Sequence, residues 1–443
     1  MKVLLLNPPG DKKYLRDYYC STISKTGYYW HPIDLLVQSG FLSEKFDVRI
    51  VDAIAEHMSG ERALERIQSF HPDVLFSLTG VLSLDQDMSF LKQIRHILPD
   101  IKIFVSGEPL LERPEEFMRM FDFITGGMFS FVYDDISAYI EERYEDIKAM
   151  VFRKDGGIVM KSMIVEKGPL QFPIPRHELL PLKRYWMPFI LHHPFATVLT
   201  VYGCPYTCSY CNSGVDTLGL MVRDVTDVVD EIKNIKKLGI KHILMKDMTF
   251  GIPRKHAIDL CNEIIKQKLD ITWHCYSRVD VVDDELLHLM KDAGCTMIQF
   301  GVETANEFTL ARYKKGVSLD LMIKTFEMIH KLNILAGAHF ILGLPGDSMQ
   351  DIETTVELAI KLKPAYASFN IATPRYGTLL KNELLNDKND SADKLKDLVT
   401  KANRKFYLRP AYISSLLRHM KTFDQLISVI REGVVMFKTL EQG

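Results

Sequence analysis

No apolar run in this chain reaches the roughly 18–20 residues of a membrane span. The best stretch, Trp186 to Val201, is broken by Pro188, His192, His193 and Pro194. Charge of one sign is also missing: 55 basic and 57 acidic residues leave a net charge of −2, no global field for holding nucleic acid. Cysteine is scarce and odd in number, seven in 443 residues, which excludes a secreted disulfide scaffold. The N-terminal apolar run, Val3–Leu6, is too short for a signal peptide and enters a turn at Asn7-Pro8-Pro9. What is present has ordinary globular composition, 47% hydrophobic and 25% charged, at a length that suits two or three domains. The expectation is a cytoplasmic enzyme with neither a nucleic-acid partner nor a membrane span.

The first third alternates short apolar runs with amphipathic stretches. Val3–Leu6, Val48–Val51, Val74–Ser77, Ile101–Val105 and Phe121–Thr125 read as strands, with helical patterns such as Ala63–Phe70 and Phe90–Leu98 between them. That spacing implies βαβ crossovers and a doubly wound, Rossmann-like parallel sheet over residues 1–145. Its strand ends run into Asn7-Pro8-Pro9-Gly10, Ser77-Leu78-Thr79-Gly80, Ser106-Gly107-Glu108 and Gly126-Gly127. Ligands of such sheets bind at those carboxyl ends, although each segment also serves as an ordinary βα turn. His57 reads as a surface residue at a helix start. Residues 146–194 form a connector: a hairpin signal at Asp155-Gly156-Gly157, then Pro169, Pro173, Pro175, Pro181 and Pro188.

A second alternation fills residues 195–380. Ala196–Tyr202, His242–Lys246, Ile271–Tyr276, Thr296–Phe300, Ala336–Leu342 and Tyr366–Ile371 read as strands. Ser318 caps an amphipathic helix carrying Leu321, Met322, Thr325, Phe326 and Ile329. Six βα units imply a barrel, or part of one, with its chemistry at the strand carboxyl ends. Residues 381–443 read as helical and charged.

Cys204, Cys208 and Cys211 sit within eight residues on the loop that ends the first of these strands. A loop can curl so that three thiols converge on one metal centre. Cys20, Cys261, Cys275 and Cys295 read as buried small side chains. Iron–sulfur clusters and structural zinc normally take four ligands, so three local thiols imply an open, reactive position. The C-x3-C-x2-C spacing is also not the paired C-x2-C of zinc sites.

At these residues the chain resembles the radical S-adenosylmethionine (SAM) superfamily, whose signature is C-x3-C-x-φ-C; Tyr210 fills the aromatic position. The resemblance implies a partial (βα)6 barrel and a [4Fe–4S] cluster on Cys204, Cys208 and Cys211. SAM would chelate the fourth iron and be cleaved to a 5′-deoxyadenosyl radical. It extends to Lys246-Asp247-Met248-Thr249-Phe250, Ser277-Arg278-Val279-Asp280, Gly301-Val302-Glu303-Thr304, Ile341-Leu342-Gly343-Leu344-Pro345-Gly346 and Pro374-Arg375-Tyr376-Gly377-Thr378. Tyr210, Asp247, Arg278, Glu303 and Gly343 are the SAM-site candidates. Glu303 suits the amino and sulfonium charge and Arg278 the carboxylate; each would otherwise be a rim salt bridge or helix cap.

The α/β domain, connector and barrel together resemble the cobalamin-binding radical SAM subfamily. Asn7-Pro8-Pro9, the stretch Phe172 to Pro181 and Arg404 to Pro410 carry this likeness. It implies that Asn7, Ser77, Thr79, Gly80, Ser106, Gly107 and Gly126 cradle cobalamin. The first strand-end loop holds no histidine, so cobalt would lack a protein imidazole. The fifth strand ends Gly126-Gly127-Met128 where the subfamily shows G-E-G-E.

Two functions follow. One is cobalamin-dependent methylation of an unactivated carbon; the other is radical cyclisation, rearrangement or oxidation without cobalamin methyl transfer. Both imply a small-molecule, peptide or lipid substrate and an electron donor such as flavodoxin or ferredoxin. A methylthiotransferase would need a second N-terminal cysteine triad, and only Cys20 is there. No cysteine follows Cys295, so one cluster is expected.

Overall fold

The computed structural model describes residues 1–17, 20–25, 27–162, 169–212, 219–375, 377–386, 392–419 and 433. The Cys20 side chain, Tyr376 and most of the stretch beyond residue 419 lie outside them. The chain divides into two compact units, residues 1–187, 192–198 and 226–240, and residues 188–191, 199–225 and 241–443.

The first unit is built on a seven-stranded sheet of β1 (Lys2–Asn7), β2 (Asp47–Asp52), β3 (Val74–Leu78), β4 (Lys102–Ser106), β5 (Gly126–Met128), β6 (Met150–Lys154) and β7 (Gly157–Lys161). Their order is β2-β1-β3-β4-β5-β6-β7. β1 pairs in parallel with β2 and β3, and β3–β4–β5 continue in parallel. Val3, Leu4, Leu5 and Leu6 are buried, the unbroken apolar run of a strand covered on both faces. The fifth strand lies later than the sequence predicts, at Gly126–Met128 rather than Phe121–Thr125. There the Phe104 ring crowds the position of any Gly126 side chain, so glycine lets this strand approach β4. Antiparallel β6 and β7 extend the same sheet, closed by Asp155 (φ 49°) and Gly156 (φ 77°). Two positive φ values in a two-residue loop match the right-handed twist of the strands they join. The sheet is therefore mixed, not wholly parallel.

In the second unit, β8 (Val201–Gly203) pairs antiparallel with β9 (Leu220–Arg223). A six-stranded sheet supplies the core, and five of its strands lie in this unit: β10 (His242–Met245), β11 (Thr272–Ser277), β12 (Cys295–Glu303), β13 (Leu335–Leu342) and β14 (Tyr366–Ile371). All four pairs among these five are parallel. The predicted strand Ala196–Tyr202 is interrupted: strand geometry holds at Phe195–Val198 and resumes at Val201. At the break the Asp247 carboxylate accepts from the Thr200 and Val201 amides.

Helices cover one face of these strands. Phe300 packs on Phe326 of helix Leu319–Lys331, with ring centroids 5.6 Å apart, and Phe369 packs on Phe406 of helix Ala392–Tyr407 at 6.2 Å. Ser318 caps the first of these, its side chain accepting from the Leu321 amide. Cys261, Cys275 and Cys295 are buried in this layer. Tyr407 donates to the Ala367 carbonyl at 2.6 Å, and the Arg409 guanidinium donates to Phe406 O, so both pack against their own unit. No helix among the described residues is long and apolar enough to cross a membrane.

Candidate functional site

Gly203, at φ 83°, ends β8 and turns the chain into the thiol loop. Cys204, Cys208 and Cys211 are each half-buried, and none is in a disulfide. The loop is anchored from outside itself: the Ser209 amide donates to Tyr313 O at 3.0 Å, and its carbonyl accepts from Leu380 N at 3.4 Å. Cys204 Sγ lies 3.7 Å from Thr249 Oγ1 beyond β10. Cys208 Sγ accepts from Arg278 Nη1 at 3.4 Å. Among the described residues no three Cys, His, Asp or Glu side chains are drawn together as around a metal ion. The donor set nevertheless suits iron: three thiols with no disulfide, on one externally held loop, with a cation against one sulfur.

Arg278, which follows β11, is almost fully engaged. Nε and Nη2 donate to Asp280 at 2.9 and 2.8 Å, Nη2 also donates to Lys315 O at 2.6 Å, and the guanidinium lies 3.7 Å from the Tyr206 ring centroid. Burial opposes its charge, yet Asp280 and the groups around it hold its pKa above the ordinary guanidinium value. Of the two roles weighed for Arg278, the salt bridge is present.

Glu303 ends β12 at φ 69°, a conformation glutamate adopts only when its surroundings enforce it. The strand register shifts between Gly301 and Glu303, and a side chain at Gly301 would strike the Glu303 carboxylate. Glu303 Oε1 accepts from Tyr210 OH at 3.0 Å and from Lys315 Nζ at 2.8 Å, with both charged groups buried. Enclosure of its hydroxyl, then the Glu303 charge, raise the Tyr210 phenol well above 10. Nothing in the sequence pattern marks Lys315, which stands in a loop twelve residues beyond Glu303.

Two SAM-site candidates are used internally. Asp247 is fully enclosed; it accepts from Thr200 N at 2.7 Å, Thr200 Oγ1 at 2.5 Å and Val201 N at 3.0 Å, and burial pushes it up to about 6. It therefore shapes the approach to the thiol loop. At Gly343 (φ 77°) a side chain would meet Leu395 of the helix over β14. The missing side chain there makes room for protein.

In the first unit the carboxyl edge of the sheet is closed by Arg16, which lies on the short strand Tyr14–Asp17. Arg16 donates to Asn7 Oδ1 (3.0 Å), Pro8 O (2.8 Å), Ser83 Oγ (3.0 Å) and Asp87 Oδ1 (2.6 Å), and the ion pair is buried. Asn7 Nδ2 donates to Tyr29 OH at 2.5 Å and Asp52 Oδ1 at 3.0 Å. Thr79 Oγ1 donates to Asp87 at 3.1 Å, and Ser77 Oγ to Leu78 O at 3.1 Å. Side chains at Gly80, Gly107 and Gly126 would meet Ser21, the Thr79 carbonyl and Phe104. At each of these glycines the missing side chain clears space for neighbouring protein. Two features at this edge suit a polar-rimmed ligand such as cobalamin. Ser106 Oγ is buried without a hydrogen-bond partner among the described residues. A cleft of about 570 Å³ is lined by Pro9, Gly10, Met58, Ser59, Gln86 and Phe90 among others.

Residues 198–359, which carry the thiol loop, Arg278, Glu303 and Lys315, match the radical SAM superfamily, and residues 20–128 match the B12 binding domain. The chain thus carries a radical SAM domain, the catalytic domain of an enzyme, and a separate B12 binding domain. It is similar to an uncharacterized methyltransferase of Pyrococcus horikoshii, 29% identical over 94% of this chain and 93% of that protein. An anaerobic magnesium-protoporphyrin IX monomethyl ester cyclase of Cereibacter sphaeroides is 24% identical over 83% of this chain, which spans only 59% of that protein. Among solved structures, the radical SAM methyltransferase TsrM from Kitasatospora setae, with cobalamin and a [4Fe–4S] cluster bound, shares the fold. Its TM-score is 0.67 at 18% identity, covering 86% of this chain and 74% of that one. The cobalamin-dependent radical SAM enzyme OxsB gives 0.65 at 17% identity, covering 90% and 56%.

Proposed function

We propose that this enzyme methylates an unactivated carbon, using SAM both as radical source and as methyl donor through cobalamin. The observation that carries the reading is the thiol loop, with Cys204, Cys208 and Cys211 half-buried beside Arg278 in a chain that also has a B12-binding domain. When bound, a [4Fe–4S] cluster would supply the electron that cleaves SAM to methionine and a 5′-deoxyadenosyl radical, and cobalamin would carry the methyl group. Cys204, Cys208 and Cys211 hold the cluster. Glu303, neutralised by Lys315 and bonded by Tyr210, offers its second carboxylate oxygen to the SAM amino group. Arg278, fixed by Asp280, keeps its positive charge beside Cys208 and lowers the cost of thiolate charge in that loop. The functional division we assign is 1–145 for cobalamin, 146–194 as connector, 195–380 as a (βα)6-type catalytic barrel and 381–443 as a helical cover. The setting is cytoplasmic, with reduction by a flavodoxin- or ferredoxin-like donor.

A second reading, radical cyclisation or oxidation without methyl transfer, is favoured by the similarity to the Cereibacter cyclase. One experiment separates the two. Anaerobically reconstituted protein is given SAM and a reductant, with and without cobalamin. Methylation requires 5′-deoxyadenosine in both cases and S-adenosylhomocysteine only with cobalamin. Deoxyadenosine without S-adenosylhomocysteine would replace the methylating reading by the second.

A further inference from the structure

Arg278 is gripped on its edges and on one face. Nε and Nη2 hold the Asp280 carboxylate at 2.9 and 2.8 Å, and Nη2 also reaches Lys315 O at 2.6 Å. The Tyr206 ring centroid lies 3.7 Å from the guanidinium, and the side chain is only 7% exposed. These anchors come from three separate stretches. Asp280 stands in the turn after β11, Lys315 in the loop after helix Glu307–Arg312, and Tyr206 in the thiol loop itself. A planar group held in this way cannot swing aside.

What is fixed there is a positive end aimed at a sulfur. A guanidinium keeps its proton at any physiological pH. Burial opposes the charge of Arg278, and Asp280 more than offsets that opposition. Asp280 occupies the Nε–Nη2 edge, so the ion pair presents Nη1 to Cys208 Sγ at 3.4 Å. Cys204, by contrast, has the neutral Thr249 hydroxyl at 3.7 Å. Hydrogen bonds to the sulfurs and nearby charge are what set the potential of an iron–sulfur cluster. Reduction adds negative charge, and an enclosed N–H···S bond from a cation stabilises the reduced state more than the oxidised one. A SAM carboxylate could claim the Nε–Nη2 fork only by breaking the pair with Asp280.

We propose that Arg278 sets the reduction potential of the cluster held by Cys204, Cys208 and Cys211, raising it through the bond to Cys208, and that it takes no part in holding SAM. This rests on the radical SAM reading above and assigns the residue that tunes its redox step. In that step the external donor loses one electron and [4Fe–4S]2+ becomes [4Fe–4S]+. No bond is made or broken, and no proton moves.

The test is an EPR-monitored redox titration of the anaerobically reconstituted full chain without SAM, with iron assayed in each preparation. Arg278→Gln should weaken electron affinity about tenfold, a midpoint about 59 mV more negative. Arg278→Lys, which keeps the charge but not the fork, should fall between that variant and the parent. Asp280→Asn removes the counter-charge and should move the midpoint upward. Opposite signs from two members of one ion pair are not what a general loosening of the loop produces. If Arg278→Gln takes up no iron, the opposed shifts of the other two variants decide. The SAM dissociation constant of Arg278→Gln should stay at the parent value. An unmoved midpoint, shifts of one sign throughout, or weaker SAM binding in Arg278→Gln would overturn the proposal. Deoxyadenosine release by the parent with SAM and dithionite tests the radical reading separately. Release with an unmoved midpoint leaves the radical function standing without the tuning role. Opposed shifts without release do the reverse, and a parent that assembles no cluster overturns both.

Discussion

Arg278 and Glu303 differ in what they still have to offer. Arg278 has Asp280, Lys315 O, Cys208 and the Tyr206 ring around it, so its work is to hold a positive field beside a sulfur. Glu303 receives both its bonds on Oε1, and its other oxygen has no hydrogen bond among the described residues. Glu303→Gln should weaken SAM binding by roughly ten- to a hundredfold, the range for one hydrogen bond to a charged group. An unchanged dissociation constant would reduce Glu303 to a structural partner of Lys315. The cysteines divide as cleanly. Replacing Cys204, Cys208 and Cys211 together by Ala should abolish cluster iron and SAM cleavage. Cys261, Cys275 and Cys295, buried under helices, should be replaceable together with iron content near normal. Loss of iron from that second variant would show the ligand set to be wrong.

At the scale of elements, the turns after β1, β3 and β4 are packed against each other more tightly than their small residues suggest. Gly107 sits at φ 152°, and any side chain there would run into the Thr79 carbonyl. Gly107→Ala should therefore destabilise the first unit by about 1–3 kcal/mol through displaced backbone, with cobalamin affinity falling only as far as folded protein is lost. A large loss of cobalamin binding at unchanged melting temperature would instead make Gly107 a ligand contact. The elements themselves were readable wherever the local pattern dictated them: the unbroken apolar run Val3–Leu6 and the Ser318-capped helix formed as their patterns require. Phe121–Thr125 misled because it is as apolar as a strand. Strand pairing falls instead on Gly126-Gly127-Met128, chosen by room beside Phe104 and Leu110, which local composition does not carry.

For the molecule as a whole, buried ionisable groups set the response to pH. Asp52 is fully enclosed among Asn7, Tyr29 and Tyr185, and burial pushes it from 3.8 up to about 6. The folded state therefore binds this proton more tightly than the unfolded chain does. Its contribution to stability is complete at pH values below the ordinary carboxylate range and is lost as pH rises through about 6. Asp52→Asn removes this dependence. The stability difference between variant and parent should move in the variant's favour by about 3 kcal/mol from acid to neutral pH. A difference constant across that range would mean that Asp52 titrates normally. His274 works in the opposite sense: burial and Lys246 lower it to about 3, so its stabilising neutral form is lost as pH falls from the ordinary histidine range. His274→Gln should flatten the acid limb of the same melting profile.

By itself the sequence determined what can be encoded locally. Three thiols within eight residues must share a loop, and apolar runs spaced by amphipathic ones must form strands and helices whatever lies elsewhere. Which charges meet was decided by tertiary structure alone. Asp87 reaches Arg16 from 71 residues away, Asp247 holds Thr200 across 47, and Lys315 neutralises Glu303 from a loop with no periodic signature. His242 and His274 are likewise 32 residues apart in the sequence. They meet only because parallel pairing sets β10 beside β11. Electrostatic and hydrogen-bonding forces act over a few ångströms of space, and separation along a chain is no measure of that distance.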